Sequence, residues 1–238
     1  MKLAFISDIH GNAVALDAVL QDIKEKNVDE VFVLGDICFR GPEPKRALDL
    51  VRSLECKVIK GNADEWVVRG VREGEVPSQV LGMMNKERDW TCSILGDVDI
   101  EYLRNLPSEL KFEFEGERIH VFHATPESLF EMIPQSSSDE VINEKLMVKE
   151  ADIYIYAHIH KPYIRYINGK CIINVGSVGL SFDGLSKASY CIVEINNGRY
   201  QTSIVRVDFN VNKVIEQYKE INYPNAEMMI GIVLSGKV

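Results

Sequence analysis

The sequence lacks a long apolar run: nowhere in its 238 residues do 18 apolar residues follow one another. Because a transmembrane helix needs about 20 such residues, no membrane-spanning helix is expected. The apolar residues 1–7 are interrupted at once by Asp8. They are therefore interpreted as a buried strand and not as a signal peptide.

Cysteine is scarce and never occurs as a Cys-x-x-Cys pair. The five cysteines are odd in number and widely spaced: Cys38, Cys56, Cys92, Cys171 and Cys191. This usage is typical of reduced thiols in a cytoplasmic protein and disfavours a disulfide framework. We therefore expect a cytoplasmic location.

An excess of positive charge is also absent, since 27 Lys and Arg stand against 36 Asp and Glu and the formal net charge is −9. Long nucleic acid is therefore a disfavoured partner, because phosphate neutralisation needs clustered basic side chains. Basic residues outnumber acidic ones only locally, in residues 40–72. That segment is interpreted as solvated helix faces, with a weak anion-attracting rim as the alternative. The first strand–helix turn has neither Gly-x-Gly-x-x-Gly nor a Lys-Ser/Thr phosphate loop, which disfavours a dinucleotide-binding fold.

The first half of the chain alternates between strand and helix patterns. Apolar runs predict strands at 2–7, 31–34 and 57–59, and helical spacing predicts helices after the first two. Residues 63–106 look mainly helical, with a loop near 73–77. Alternation of this kind indicates an α/β layer with right-handed crossovers.

The second half is rich in strands. Strands are predicted at 111–115, 118–122, 153–157, 163–167, 171–175, 188–195 and 202–207, and a helix at 138–149. Asn168-Gly169 and Asn197-Gly198 are hairpin turns. Both halves fit one α/β fold of two packed mixed β-sheets flanked by helices, a four-layer αββα sandwich. We predict this domain over 1–208 and a C-terminal helical extension over 209–238, which would dock on the domain, mediate a dimer contact or cover a sheet.

Four of the five histidines lie in three short motifs that also contain acidic or amide side chains. The motifs are Asp8-Ile9-His10-Gly11-Asn12, His123-Ala124-Thr125-Pro126 and Ala157-His158-Ile159-His160, and between them lie Gly35-Asp36 and Gly61-Asn62-Ala63-Asp64. Imidazole, carboxylate and amide oxygen are ligands for divalent transition metals. The set predicts a metal-activated water, and hence hydrolysis.

Each motif follows a predicted strand. Asp8 and His10 are two residues apart, so in an extended chain both point to one face. Asp36 and Asn62 follow the next two strands, and the carboxyl ends of neighbouring strands meet at one crevice. One ion would take Asp8, His10, Asp36 and His160; the other would take Asp36, Asn62, His123 and His158. His120 lies inside its strand, so it is expected to be a core or surface histidine outside the crevice.

Taken in order, these motifs resemble the pattern of the calcineurin-like metallophosphoesterase superfamily: Asp-x-His, Gly-Asp, Gly-Asn-His-Asp/Glu, His and Gly-His-x-His. Asn174-Val175-Gly176-Ser177 also resembles a loop of that family, so the likeness spans residues 8–177. The subgroup that it resembles most is that of the small bacterial and archaeal phosphodiesterases, which share Gly41-Pro42-x-Pro44 and also lack the family histidine after Asn62. Ala157 replaces the usual Gly. Ala63 replaces the His that helps to protonate the leaving group in relatives that have it. The acid is therefore left open between His10, metal-bound water and no acid at all for a good leaving group.

The resemblance implies a phosphoesterase that depends on two divalent ions and cleaves small phosphodiesters or nucleotide polyphosphates. A hydroxide that bridges the two ions would attack phosphorus in line. His10, Asp36 and Asn62 are the expected catalytic residues, and Asn62 and Arg40 are expected to bind substrate. Mn²⁺ is the first choice because the ligands include no thiolate, with Fe, Ni or Zn as alternatives.

Two other functions remain open. A nuclease is disfavoured by the acidic composition. A non-catalytic metal-binding scaffold for protein partners is disfavoured by the complete set of ligands. The expected partner is a small phosphate ester or nucleotide, and a homo-oligomer remains possible.

Overall fold

The computed structural model describes every residue from Met1 to Val238. Five strands form a first sheet in the order β10-β9-β1-β2-β3. Their bounds are β1 Lys2–Ile6, β2 Glu30–Val33, β3 Lys57–Val58, β9 Ala188–Asn196 and β10 Arg199–Val207. Strands β1, β2 and β3 are parallel, whereas β9 and β10 run antiparallel to their neighbours. The sheet is therefore mixed, with a parallel half and an antiparallel half.

A second mixed sheet has the order β4-β5-β6-β8-β7. Its strands are β4 Glu109–Phe114, β5 Glu117–Phe122, β6 Ile153–Tyr156, β7 Tyr163–Ile167 and β8 Lys170–Asn174. Strands β5, β6 and β8 are parallel, and the two edge strands are antiparallel. The two sheets confirm the predicted α/β sandwich of two mixed sheets, and most observed strand bounds differ from the predicted ones by one or two residues.

Eight helices lie outside the sheets. They are α1 Ala13–Glu25, α2 Pro44–Ser53, α3 Asn62–Arg69, α4 Ser78–Ile94, α5 Asp97–Arg104, α6 Asp139–Lys145, α7 Val211–Glu220 and α8 Ala226–Ser235. None of them is both long and apolar enough to span a bilayer.

The layers follow from the alternation of side chains along each strand. In β1, Leu3 and Phe5 point to the second sheet, where they pack in one core with residues such as Val121. Ala4 and Ile6 point the other way, into the core beneath the helices of the first half. A strand that is buried on both faces has a continuous apolar sequence, which is why residues 2–6 show no polar alternation beyond Lys2.

The C-terminal helices α7 and α8 pack against the domain. Their apolar side chains share one core with Val14 of α1 and with Leu180, in the loop after β8. Tyr218 of α7 also donates a hydrogen bond to the carbonyl of Arg40 at 2.7 Å. The extension therefore covers the end of the molecule where α1 begins, next to the polar loops described below.

Candidate metal centre

Polar side chains gather at the carboxyl ends of strands from both sheets. In the first sheet, Asp8, Asp36 and Asn62 follow β1, β2 and β3. In the second sheet, His123 follows β5 and His158 follows β6. The parallel strands bring these ends to the same edge of the sandwich, which places the predicted residues together.

Five of the seven predicted ligands have a left-handed backbone. Their φ angles are 51° at Asp8, 48° at His10, 55° at Asp36, 68° at His158 and 55° at His160. Such angles are uncommon outside glycine and mark turns that the surrounding structure enforces. We predicted that Asp8 and His10 share a face because they lie two residues apart in an extended strand. That reason was wrong, because β1 ends at Ile6 and the chain turns at both residues. Backbone hydrogen bonds hold these turns in place. For example, the amide of His10 donates to the carbonyl of Asp36 at 2.8 Å.

The first group of donors comprises Asp8, His10, Asp36 and His160, whose ligand atoms all lie within 4.8 Å of one another. The Nε2 atoms of His10 and His160 are 3.2 Å apart. The Oδ1 atom of Asp8 lies 3.1 Å from the Nε2 atom of His160. All four side chains are buried.

The hydrogen bonds of the two imidazoles show that this group suits a cation. The Nδ1 atom of His10 donates to the carbonyl of Phe39 at 2.8 Å, and that of His160 donates to the carbonyl of Leu180. A carbonyl only accepts, so each ring gives its Nδ1 hydrogen to the backbone and turns its Nε2 atom toward the other ring. Asp8 Oδ1 is buried beside them without a hydrogen-bond donor. A divalent ion would satisfy all three atoms.

A second group joins Asn62, His123 and His158. The Oδ1 atom of Asn62 lies 2.9 Å from His123 Nε2 and 2.8 Å from His158 Nδ1. His123 is oriented as the histidines of the first group are, since its Nδ1 atom donates to the carbonyl of Leu34 at 2.7 Å. These residues also fit a divalent ion that accepts nitrogen and oxygen ligands.

Asp36 lies between the two groups. Its Oδ2 atom is 3.6 Å from His10 Nε2 and 3.5 Å from His123 Nε2. Its Oδ1 atom accepts a hydrogen bond from the amide of Ala63 at 2.7 Å, which fixes the carboxylate. Gly61 is needed here, because a Cβ atom at that position would lie 2.1 Å from Asp36 Oδ1. One oxygen of Asp36 thus faces both groups while the other is held by the chain.

Three residues that were not among the predicted site residues support the donors. Asp64 accepts hydrogen bonds from the amides of Asp36, Ile37 and Gly61 at 2.8, 2.9 and 2.9 Å, and so holds the loop that carries Asp36. The available signal was its place in the first turn of α3, where a carboxylate reaches back to free amides.

The loop after β8 supports the first group. Ser177 donates from Oγ to the carbonyl of Asp8 at 2.8 Å and accepts from the amide of Leu180. Phe182 stacks on His160 with ring centroids 4.2 Å apart. The resemblance drew attention to Ser177, whereas nothing in the local sequence pointed to Phe182.

Burial and neighbouring charges set the protonation of the histidines. Burial lowers the pKa of His10 and of His158 to about 4, so both are neutral at pH 7. Burial also disfavours a charge on His123, but Asp36, together with Asp8 and the carbonyl of Leu34, outweighs burial and raises the pKa of His123 to about 9. The same pairing holds the pKa of Asp36 below its usual value despite burial.

Two further residues named from the sequence lie outside the donor groups. Arg40 has a φ of 72°, and its Nε atom pairs with Glu87 Oε2 at 3.3 Å. His120 is buried inside β5, with Nε2 2.7 Å from Glu109 Oε2. His120 was expected to lie outside the crevice, and the structure places it there.

Comparison with known proteins gives the family. Residues 1–198 match the profile described as the calcineurin-like phosphoesterase superfamily domain. The chain belongs to this superfamily. It is 30% identical to an uncharacterized protein of Methanocaldococcus jannaschii, over 93% of each chain. It is 23% identical to the phosphodiesterase YfcE of Escherichia coli, over 82% of this chain and 88% of that one.

A solved metallophosphoesterase from Sphaerobacter thermophilus is 26% identical, covers 99% of both chains and superposes with a TM-score of 0.80. The family predicted from the order of the motifs is thus confirmed, and with it a phosphoesterase fold that has a buried group of metal-type ligands.

Proposed function

We propose that this member of the superfamily is a phosphodiesterase that uses two divalent ions to cleave small phosphodiesters or nucleotide polyphosphates. The observation that carries the proposal is the position of Asp36, with one oxygen 3.6 Å from His10 and 3.5 Å from His123. A carboxylate that faces two groups of nitrogen and oxygen donors suits a pair of ions better than a single one. The widely spaced cysteines support a cytoplasmic location.

We assign the ligands to the two ions as follows. Asp8, His10, Asp36 and His160 would hold one ion, and Asp36, Asn62, His123 and His158 would hold the other. Two such ions supply a nucleophile at neutral pH by lowering the pKa of water, and they offset the charge of the phosphate. Mn²⁺ is the first ion to test, followed by Fe, Ni and Zn, because nitrogen and oxygen donors are present and thiolate is not.

His10 is better suited to bind an ion than to supply a proton. Its Nδ1 hydrogen is committed to the carbonyl of Phe39, and burial lowers its pKa to about 4. Ala63, at the position where the family pattern given above has a histidine, is fully buried in the core beneath the first sheet. Neither position therefore offers the leaving group a proton, and substrates whose leaving groups depart without one are favoured.

A leaving-group series tests this proposal. Purified protein would be assayed with each metal against aryl and alkyl phosphodiesters, dinucleoside polyphosphates and matched monoesters. We expect kcat/KM to fall as the pKa of the leaving group rises, and diesters to exceed monoesters. Equal rates for alkyl monoesters and aryl diesters would contradict the proposal. A metal-loaded protein that hydrolyses nothing would favour the scaffold function.

A further inference from the structure

A pocket of about 630 Å³ lies beside the candidate metal centre. Its walls come from the loop after β5, the loop that carries His158 and His160, the loop after β8, and residues 237–238. Its volume falls within the range of about 300–1,000 Å³ that is typical of small-molecule sites. The lining contains neither Arg40 nor any of the seven candidate ligands. The pocket is therefore a second cavity, distinct from the two donor groups.

The lining of this pocket is largely apolar. Ile159, between His158 and His160 in the chain, is its most buried side chain, with 6% exposure. The side chains of Phe182 and Pro162 add further carbon surface. Apolar walls favour a ligand that carries an apolar group, because both surfaces leave water when it binds.

Phe182 connects the pocket to the first donor group. Its ring stacks on the imidazole of His160, with centroids 4.2 Å apart and ring planes 10° apart. Its amide also donates a hydrogen bond to the carbonyl of His160 at 3.2 Å. One face of the Phe182 ring is thus covered, and the remainder of the ring lines the pocket. Aromatic rings pair favourably with one another, so this wall favours an aromatic ligand.

The charges around the pocket favour a negative ligand. Lys161, directly after His160, is exposed and pairs with no carboxylate, and Lys237 is a second lysine in the lining. The one acidic side chain of the lining, Asp183, is paired with Arg206. Unpaired positive charge next to an apolar surface attracts an anion, even on a chain whose net charge is −9.

We propose that this pocket binds a small aromatic anion, with Phe182 in contact with its ring and Lys161 beside its negative group. Such a ligand has two sources, the organic end of a phosphate-ester substrate or a separate molecule that binds beside the metal centre. Contact with Phe182 places either of them one ring away from His160. Binding in the pocket is independent of the proposed function, since no candidate ligand lines it.

Binding is tested on the full chain after chelator treatment, by calorimetry with naphthalene-1-sulfonate. Methanesulfonate lacks the ring and 1-naphthalenemethanol lacks the charge, so both should bind at least about tenfold more weakly. Phe182→Leu should raise Kd for naphthalene-1-sulfonate about three- to tenfold, because an aromatic contact is lost. Lys161→Gln should raise it about two- to fivefold, because an exposed charge pair is lost.

Matched controls separate the pocket from general surface binding. Tyr166→Leu removes an aromatic ring of β7 that is 59% exposed, and Lys213→Gln removes an exposed lysine of α7. Neither residue lines the pocket, so each should change Kd by less than about twofold. Binding that does not saturate, or equal effects of the pocket and control variants, would overturn the inference. If Phe182→Leu does not fold, Lys161→Gln, which changes an exposed side chain, decides the point.

Hydrolysis of bis(4-nitrophenyl) phosphate by Mn²⁺-loaded protein distinguishes the two sources. If the pocket receives the organic end of the substrate, naphthalene-1-sulfonate should raise KM and leave kcat unchanged, and Phe182→Leu should weaken this inhibition. If the pocket serves a separate molecule, KM should not change. A protein that binds naphthalene-1-sulfonate as predicted but hydrolyses no ester would overturn the proposed function and support the pocket.

Discussion

At the scale of single residues, the candidate metal centre depends on backbone conformations that residues other than glycine seldom adopt. Each left-handed residue costs on the order of 1–3 kcal/mol and persists only where other contacts determine it. At Asp8 the contact is a hydrogen bond from its amide to the carbonyl of Gly35, at 3.1 Å. The residue types of the motifs were sufficient to predict which side chains gather at this place. The turns were not predictable, because the partners that enforce them come from distant parts of the chain.

The first prediction concerns the carboxylate between the two donor groups. Asp36→Asn removes the negative charge that both ions would share, so kcat/KM should fall on the order of a thousandfold. His120→Gln is the control, since His120 pairs with Glu109 away from the centre, and it should keep kcat/KM within about fivefold. Circular dichroism would confirm that both variants fold. Similar losses in two folded variants would contradict the assignment of the centre.

The second prediction concerns protons. The pKa of His123 is raised to about 9, so this ring carries a proton at pH 7 that a bound ion must displace. Metal binding should release about one proton per chain at pH 7, and the apparent affinity should rise with pH until about pH 9. Calorimetry in buffers of different ionisation enthalpy measures the released protons. A binding heat that is independent of the buffer would show that His123 is already neutral.

At the scale of elements, the sequence was most informative where strands are parallel and buried on both faces. The apolar runs at β1 and β2 predicted these strands, and the polar residues just after each run predicted the candidate metal centre. The placement of β9 beside β1 was not predictable, because antiparallel pairing at 190 residues' separation leaves no local pattern. For the same reason, the sequence left three alternatives for α7 and α8. Their apolar faces indicate that they are buried, but not which surface buries them.

The third prediction tests that docking with two residues of α8. Ile232 is 4% exposed in the shared core, whereas Leu234, two positions later, is 55% exposed. Ile232→Ala should lower the free energy of unfolding by about 2–5 kcal/mol, and Leu234→Ala should change it by less than about 0.5 kcal/mol. Urea denaturation gives both values. Equal effects would mean that α8 does not pack on the domain as described.

At the scale of the whole molecule, the candidate metal centre joins the two sheets. Asp8, Asp36 and Asn62 come from the first sheet, and His123 and His158 come from the second. The local patterns predicted both halves, and the order of the motifs predicted that they belong together. The distances between them required the structure, since they depend on how the two sheets pack across the shared core.

The fourth prediction follows from ligands that come from both sheets. Ions that bind only the folded chain should stabilise it, by about 4 kcal/mol at a free concentration a thousand times Kd. Thermal denaturation should show a higher Tm after Mn²⁺ is added to chelator-treated protein. Asp36→Asn should lose most of this gain, and His120→Gln should keep it. A gain of the same size in Asp36→Asn would place the ions elsewhere on the chain.

The central claim is that two ions, shared through Asp36, make this chain a phosphodiesterase. The most direct measurement is a titration of chelator-treated protein with Mn²⁺, in which bound ions are counted by native mass spectrometry and hydrolysis of bis(4-nitrophenyl) phosphate is followed in parallel. We predict that activity appears only as the second ion binds. Full activity with one ion per chain, or no activity with two, would contradict the claim.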